Sequence, residues 1–308
     1  MPPAASRLGL VVFALVAAPA AAQPTTDPPA DTTGTPLIHL ELADGTALVG
    51  RVVREDDEQV EFRTTGGALV IVPAAQVRSR RPFEGAVRGG RAVASDPNGT
   101  RLFFAPTGRP LGRGQGYVAA YEVFFPLVAY GITERVSVSG GTVLAPGAFG
   151  SVVYAASKAT FLRTNAVDLA AGVFLLTAFF ESVCSDEGCE ESSGVGGIAY
   201  GVGTVGDDQR AVTLGAGASV GAAEGGGLVL VGGELQVSNS IKLLSENYVA
   251  FAGGDAGTVI SAGVRFFGER LAADLGLFTS PDLLLEEEVD LADFPFLPWV
   301  GFTYNFGR

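Results

Sequence analysis

The sequence predicts an all-β protein: a transmembrane antiparallel up-and-down β-barrel of about twelve strands, within a range of about ten to fourteen, behind a small N-terminal β-domain. Three observations carry that prediction. Apolar residues make up 47% of the 308 residues and charged residues only 17%, with 43 glycines. Soluble proteins average about 25% charged, and a disordered chain would be richer still in charge. Past the N-terminus the longest apolar run is residues 169–180, too short for the ~20 residues of a membrane helix but ample for a barrel strand of about 9–11. The remaining apolar residues alternate with small and polar ones at the period of a strand.

Residues 1–22 read as a cleavable export signal: Arg7, an apolar stretch over residues 8–18, then Ala20, Ala21 and Ala22 before Gln23. Residues 23–36 (QPTTDPPADTTGTP) are too polar and proline-rich to pack and read as a disordered tether.

Residues 37–80 form the small β-domain. Ile38, Leu40 and Leu42 share one face, Asp44-Gly45 makes a hairpin turn, and Gly50 sits mid-strand where a bend or bulge is tolerated. The D-G turn, the central glycine and the stretch G-x-L-x-I-x-P resemble a small SH3-like or Sm-like barrel. Such domains often bind RNA, but residues 23–77 carry three arginines against nine acids, the wrong balance for a nucleic-acid partner. His39 is the only histidine and reads as an ordinary strand residue.

Residues 81–115 read as an Arg/Gly-rich linker or partial plug. Residues 78–113 hold eight arginines against Glu84 and Asp96. Residues 101–107 (RLFFAPT), then Gly114 to Tyr117 and Tyr130 to Thr133, resemble the opening of a largely uncharacterised family of bacterial outer-membrane barrels. The resemblance implies a barrel running through residues 101–308 and names no activity.

Residues 116–308 then divide into about twelve strands, with short turns alternating with longer loops. Short turns belong on the periplasmic side of bacterial barrels, so both ends of the barrel and the N-terminal domain are expected there, with outer-membrane lipid around the wall. Parity sorts the charges. In 228–238 the odd positions read Val229, Val231, Gly233, Leu235, Val237 and the even ones include Glu234 and Gln236. In 270–278 Leu271, Ala273, Leu275 and Leu277 oppose Asp274. A charge facing lipid at mid-bilayer costs about 2–4 kcal/mol, so Glu122, Lys158, Glu234, Glu246 and Arg265 are assigned to the lumen. With acids outnumbering bases in that set, an open wall would favour cations. Arg101, Arg109 and Arg113 arrive at the periplasmic mouth and are expected either to pair with those acids as a plug or to contact lipid headgroups or the small domain.

Cys184 and Cys189 flank Ser-Asp-Glu-Gly. In an exported chain the pair predicts a disulfide stapling a loop rather than a metal site, since no histidine lies nearby. The acids beside them read as a solvated loop. Ser280-Pro281-Asp282 reads as a helix start, Ser as cap and Pro at the first position. Gly215 to Gly221 approximates a dinucleotide fingerprint but runs into another strand instead of the helix that motif requires. No histidine falls in residues 101–308, which leaves acyl-transfer chemistry without its usual base. No cofactor or metal is implied. The sequence therefore reads as a non-enzymatic barrel, either a passive small-solute channel or an envelope structural protein whose N-terminal domain meets periplasmic components. The alternatives are a filled barrel binding partners through acidic loops, and a carboxylate-dependent barrel enzyme.

Overall fold

The structure is a computed structural model; it describes residues 36–83, 85–146, 150–179, 183–185, 188–190, 193–221, 225–285 and 295–307. The expected export signal, and the expected tether except Pro36, lie outside these residues. The chain divides into two compact units, residues 1–82 with 89–91, and residues 83–88 with 92–308.

In the first unit, β1 (Ile38–Leu42), β2 (Ala47–Glu55), β3 (Gln59–Thr64), β4 (Leu69–Pro73) and β5 (Val77–Pro82) form one sheet in the order β4-β3-β2-β1-β5. The last strand thus returns to pair with the first. Leu40, Leu42, Phe62 and Val72 form its buried core, packed by Ile38, Leu48 and Val52. Gly50 pairs with both Ile38 and Thr64. A Cβ there would lie 2.0 Å from the Arg63 carbonyl oxygen, so the crossing of strands requires glycine. The β2–β3 register shifts between Val52 and Arg54, a local bulge.

After a two-stranded ribbon of β6 (Gly85–Arg88) and β7 (Arg91–Ala94), the barrel begins. Its strands are β8 (Gly116–Tyr121), β9 (Phe125–Gly131), β10 (Val136–Thr142), β11 (Val152–Arg163) and β12 (Val167–Phe179). A second ribbon, β13 (Val183–Ser185) and β14 (Gly188–Glu190), interrupts the wall and sets Cys184 opposite Cys189 in register. The wall resumes with β15 (Ser193–Gly206), β16 (Arg210–Gly221), β17 (Gly226–Ser238), β18 (Ile241–Ala252), β19 (Asp255–Phe267) and β20 (Leu271–Thr279). Helix α1 (Pro281–Leu285) precedes the closing strand β21 (Leu297–Phe306). Twelve antiparallel strands close by pairing β21 with β8. The helix starts where the Ser-Pro-Asp signal put it, the Asp282 N–H donating to Ser280 Oγ at 3.3 Å.

The outward face is apolar on strand after strand. Val229, Val231, Leu235 and Val237 on β17, Leu271, Leu275 and Leu277 on β20, and Phe302 and Tyr304 on β21 are all exposed, while Glu234, Asp274 and Thr303 point inward and are buried. Soluble surfaces seldom carry apolar patches beyond a few hundred Å². A belt of exposed valine, leucine and aromatic side chains around a closed, edgeless sheet meets its solvent in lipid hydrocarbon.

Candidate functional site: a chain segment inside the barrel

The polypeptide does not go straight from β7 to β8. Residues 96–112 enter the lumen between the two. Their deepest part is a tight hairpin: Arg101 bridges Pro106, the Leu102 N–H donates to the Ala105 carbonyl at 2.9 Å, and the Thr107 N–H donates to the Thr100 carbonyl at 3.0 Å. Three prolines and two glycines in residues 97–110 keep this stretch from extending the wall as a further strand. Leu102 and Phe103 at its turn are completely buried.

Charged groups tie the hairpin to the wall in an alternating chain. Arg109 pairs with Glu234. Glu234 also takes Lys242, whose Nζ lies 3.1 Å from Glu234 Oε2 and 3.1 Å from Asp96 Oδ2. Asp96 accepts from Arg265 at 3.0 Å, and Arg265 Nε donates to Asp274 Oδ1 at 2.6 Å. Asp274 Oδ2 then accepts from Arg101 at 2.6 Å. Four cations alternate with three carboxylates, and their side chains are at most 11% exposed. Buried charges are tolerable only when paired and hydrogen-bonded like this. Arg101 also donates to Thr303 Oγ1 at 2.7 Å and lies over the Tyr117 and Tyr121 rings, 5.9 and 5.4 Å from their centroids. Burial would raise the Asp96 carboxyl, but Arg265 and Lys242 with the Asn98 N–H outweigh it and hold it well below the usual carboxylate range.

Two further wall residues hold backbone rather than charge. Glu246 Oε2 accepts the N–H groups of Phe104 and Ala105, both at 3.0 Å, and its other oxygen accepts the Tyr248 hydroxyl. Lys158 Nζ donates to the carbonyls of Thr100, Thr107 and Arg109 at 3.2, 3.0 and 2.7 Å. The wall leaves room for the hairpin by carrying glycine at its contacts. A Cβ on Gly232 would stand 2.1 Å from Leu102 Cδ1, and one on Gly276 would be 2.9 Å from the Phe103 ring.

Of the residues the sequence assigned to the lumen, Lys158, Glu234, Glu246 and Arg265 all contact the segment. Glu122 does not belong with them. Strand β8 ends at Tyr121, and Glu122 and Val123 take positive φ values of 47° and 64° in the turn to β9. This turn, unseen in the sequence, lets Pro126 sit inside β9, and Glu122 Oε1 there accepts the Val300 N–H at 2.8 Å. Arg101 and Arg109 pair with inward acids, whereas Arg113 is exposed in the turn before β8 and makes no ion pair among the described residues. Sequence reasoning passed over Asp96 and Lys242. Lys242 shares the parity of Glu246 and could have been found that way; Asp96 sits in a segment without periodicity. With Lys242 and Asp274 added and Glu122 removed, that inward set holds three acids and three bases, and the acidic excess expected of it is gone. The side chains of Cys184 and Cys189, and most acids of the two longest loops, lie outside the described residues. Among the described residues no cluster of His, Cys, Asp and Glu could hold a metal ion.

Toward the long-loop end the lumen changes character. A cavity of about 490 Å³ opens beside the hairpin, lined by Phe104, Tyr121, Phe174, Tyr200, Leu228, Leu230 and Tyr248, with Lys158 and Arg101 among its few charged groups.

No family model matches the sequence, and no curated protein is similar to it. Among solved structures, a KdgM porin in complex with disordered oligogalacturonate aligns with TM-score 0.44 and 9% identity over 62% of this chain and 98% of its own. OmpT, an outer membrane protein of Vibrio cholerae, aligns as its loop L8 deletion mutant with TM-score 0.34 and 12% identity over 88% of this chain and 97% of its own. Likenesses this remote carry no information about ligands. The closed wall and its apolar belt define the class: this is a twelve-stranded transmembrane β-barrel of the outer-membrane kind with a separate five-stranded sheet.

Proposed function

We propose that the protein is a non-enzymatic outer-membrane barrel kept closed by residues 96–112 acting as a plug, a filled barrel rather than a constantly open channel. The observation that carries this reading is the alternating chain from Arg109 to Arg101, which commits three of the lumen's carboxylates to holding the segment. With Glu246 engaged by two backbone N–H groups and Tyr248, these four acids have no free oxygen with which to act as a catalytic pair. The short turns and the N-terminal domain then face the periplasm, where an SH3-like β4-β3-β2-β1-β5 sheet would meet envelope components. Export through residues 1–22 and a disulfide between Cys184 and Cys189 belong to the same reading. The register setting the two cysteines opposite each other supports the bond.

Planar-bilayer recording of the full mature chain tests it. The expected record is no steady conductance step, with openings becoming frequent when Asp96→Asn and Arg109→Ala weaken the segment's anchors. A large steady conductance from the unaltered chain would refute the plug.

A further inference from the structure

Beyond closure, one cation beside the hairpin stands outside the alternating ion-pair chain. That cation is Lys158. Its ammonium is buried and bonded to three neutral carbonyls, with no ion pair among the described residues. Asp168, whose field reaches it, makes no hydrogen bond to it. An unpaired buried charge is costly wherever it stands.

Lys158 also lines the cavity, and so does Thr100, whose carbonyl takes the longest of the three bonds at 3.2 Å. Arg101 lines it too, and its Nε is a buried donor with no partner among the described residues. Two cationic donors therefore border a chamber walled mainly by aromatic and aliphatic side chains, with Ser137, Ser139 and Ser157 on one side. Its volume of about 490 Å³ falls within the range of small-molecule sites, about 300–1,000 Å³, which are mostly apolar with a few placed polar groups.

We propose that this cavity binds a monoanionic amphiphile, an alkyl or aryl carboxylate, with its apolar part among Phe174, Tyr200, Leu228, Leu230 and Tyr248 and its carboxylate reaching Lys158 and Arg101. The anion supplies Lys158 with a direct ion-pair partner, replacing the long bond from Lys158 to Thr100 and engaging the free Arg101 Nε–H. The inference rests on the segment staying in the lumen, since the hairpin presents both Thr100 and Arg101 to the cavity.

The test is titration calorimetry of the full mature chain in lipid nanodiscs with decanoate and, as an uncharged control, decanol. Decanoate should bind at least about tenfold more tightly than decanol, a margin of about 1.4 kcal/mol. Lys158→Gln should remove that margin. Leu230→Trp, which fills the cavity and leaves both cations in place, should abolish binding of both probes, and it decides the question if Lys158→Gln does not fold. Equal affinity for the two probes, a margin that survives Lys158→Gln, binding that survives Leu230→Trp, or no binding at all would each overturn the proposal. A closed barrel that ignores decanoate refutes this site alone, whereas a steadily conducting one refutes the plug beneath it.

Discussion

Replacing Asp274 by alanine removes the one carboxylate that holds both Arg265 and Arg101. Asp274 is completely buried and accepts three bonds: from Arg265 Nε at 2.6 Å, Arg265 Nη2 at 3.2 Å and Arg101 Nη1 at 2.6 Å. Arg265 would keep Asp96, and Arg101 would keep Thr303 and backbone carbonyls, so neither cation is left wholly bare. Removing one partner of a buried ion pair costs about 3–5 kcal/mol, and Asp274→Ala should fall in that range. Asp274→Asn retains one acceptor oxygen and should cost less. The exposed Glu55–Arg80 pair of the small domain, 2.6 Å apart, provides the contrast: water screens it, and Glu55→Ala should leave stability almost unchanged. Reversible urea unfolding of the full mature chain refolded into lipid vesicles, with the transitions of the small domain and the barrel followed separately, measures both. A double-mutant cycle with Arg101→Met should give a coupling of about 0.5–3 kcal/mol. A loss below about 1 kcal/mol for Asp274→Ala, or no coupling to Arg101, would refute the argument that these charges anchor the segment.

Other expectations follow from the same contacts. Glu246→Leu removes the acceptor for the Phe104 and Ala105 N–H groups and should destabilise the hairpin by about 1–3 kcal/mol; faster hydrogen exchange at those two amides would report it. Gly108→Ala places a Cβ 2.2 Å from the Asp168 carbonyl oxygen and should cost about 1–3 kcal/mol through overpacking, measured by the same urea titration. The lowered Asp96 carboxyl contributes stability above its unfolded value of about 3.9 and loses it as pH falls through the lower folded value. Bilayer recordings at pH 7 and at pH 4.5 should therefore both be closed, and opening at pH 4.5 would contradict the Asp96 contacts.

Much of the barrel was legible because lipid enforces parity. A strand that misplaces a charge outward loses several kcal/mol, so β17 and β20 announce their inner faces through Glu234 and Asp274. The cavity was less legible, because apolar residues also appear on inner faces: Leu228 and Leu230 share the parity of Glu234 yet lie farther from the short turns. The inner face of β17 thus passes from apolar beside the cavity to charged beside the hairpin, and a face averaged over the whole strand hides that change. Glu122 misled because parity assumes the strand continues, and two residues with left-handed backbone follow its end at Tyr121. The inserted segment has no period of its own. Its arginines advertised it only through excess charge, which cannot distinguish a headgroup contact from a lumen contact, and its acidic partner Asp96 was outnumbered by them.

The central claim, that residues 96–112 lie seated inside the wall, is tested most directly by hydrogen exchange of the membrane-embedded chain. The amides of Leu102, Phe104, Ala105, Thr107 and Gly108 all donate to protein acceptors in the lumen. They should exchange as slowly as those of neighbouring wall strands such as β18. Exchange as fast as that of the exposed turn at residues 253–254 would mean that the segment lies outside the barrel, and the account would fail.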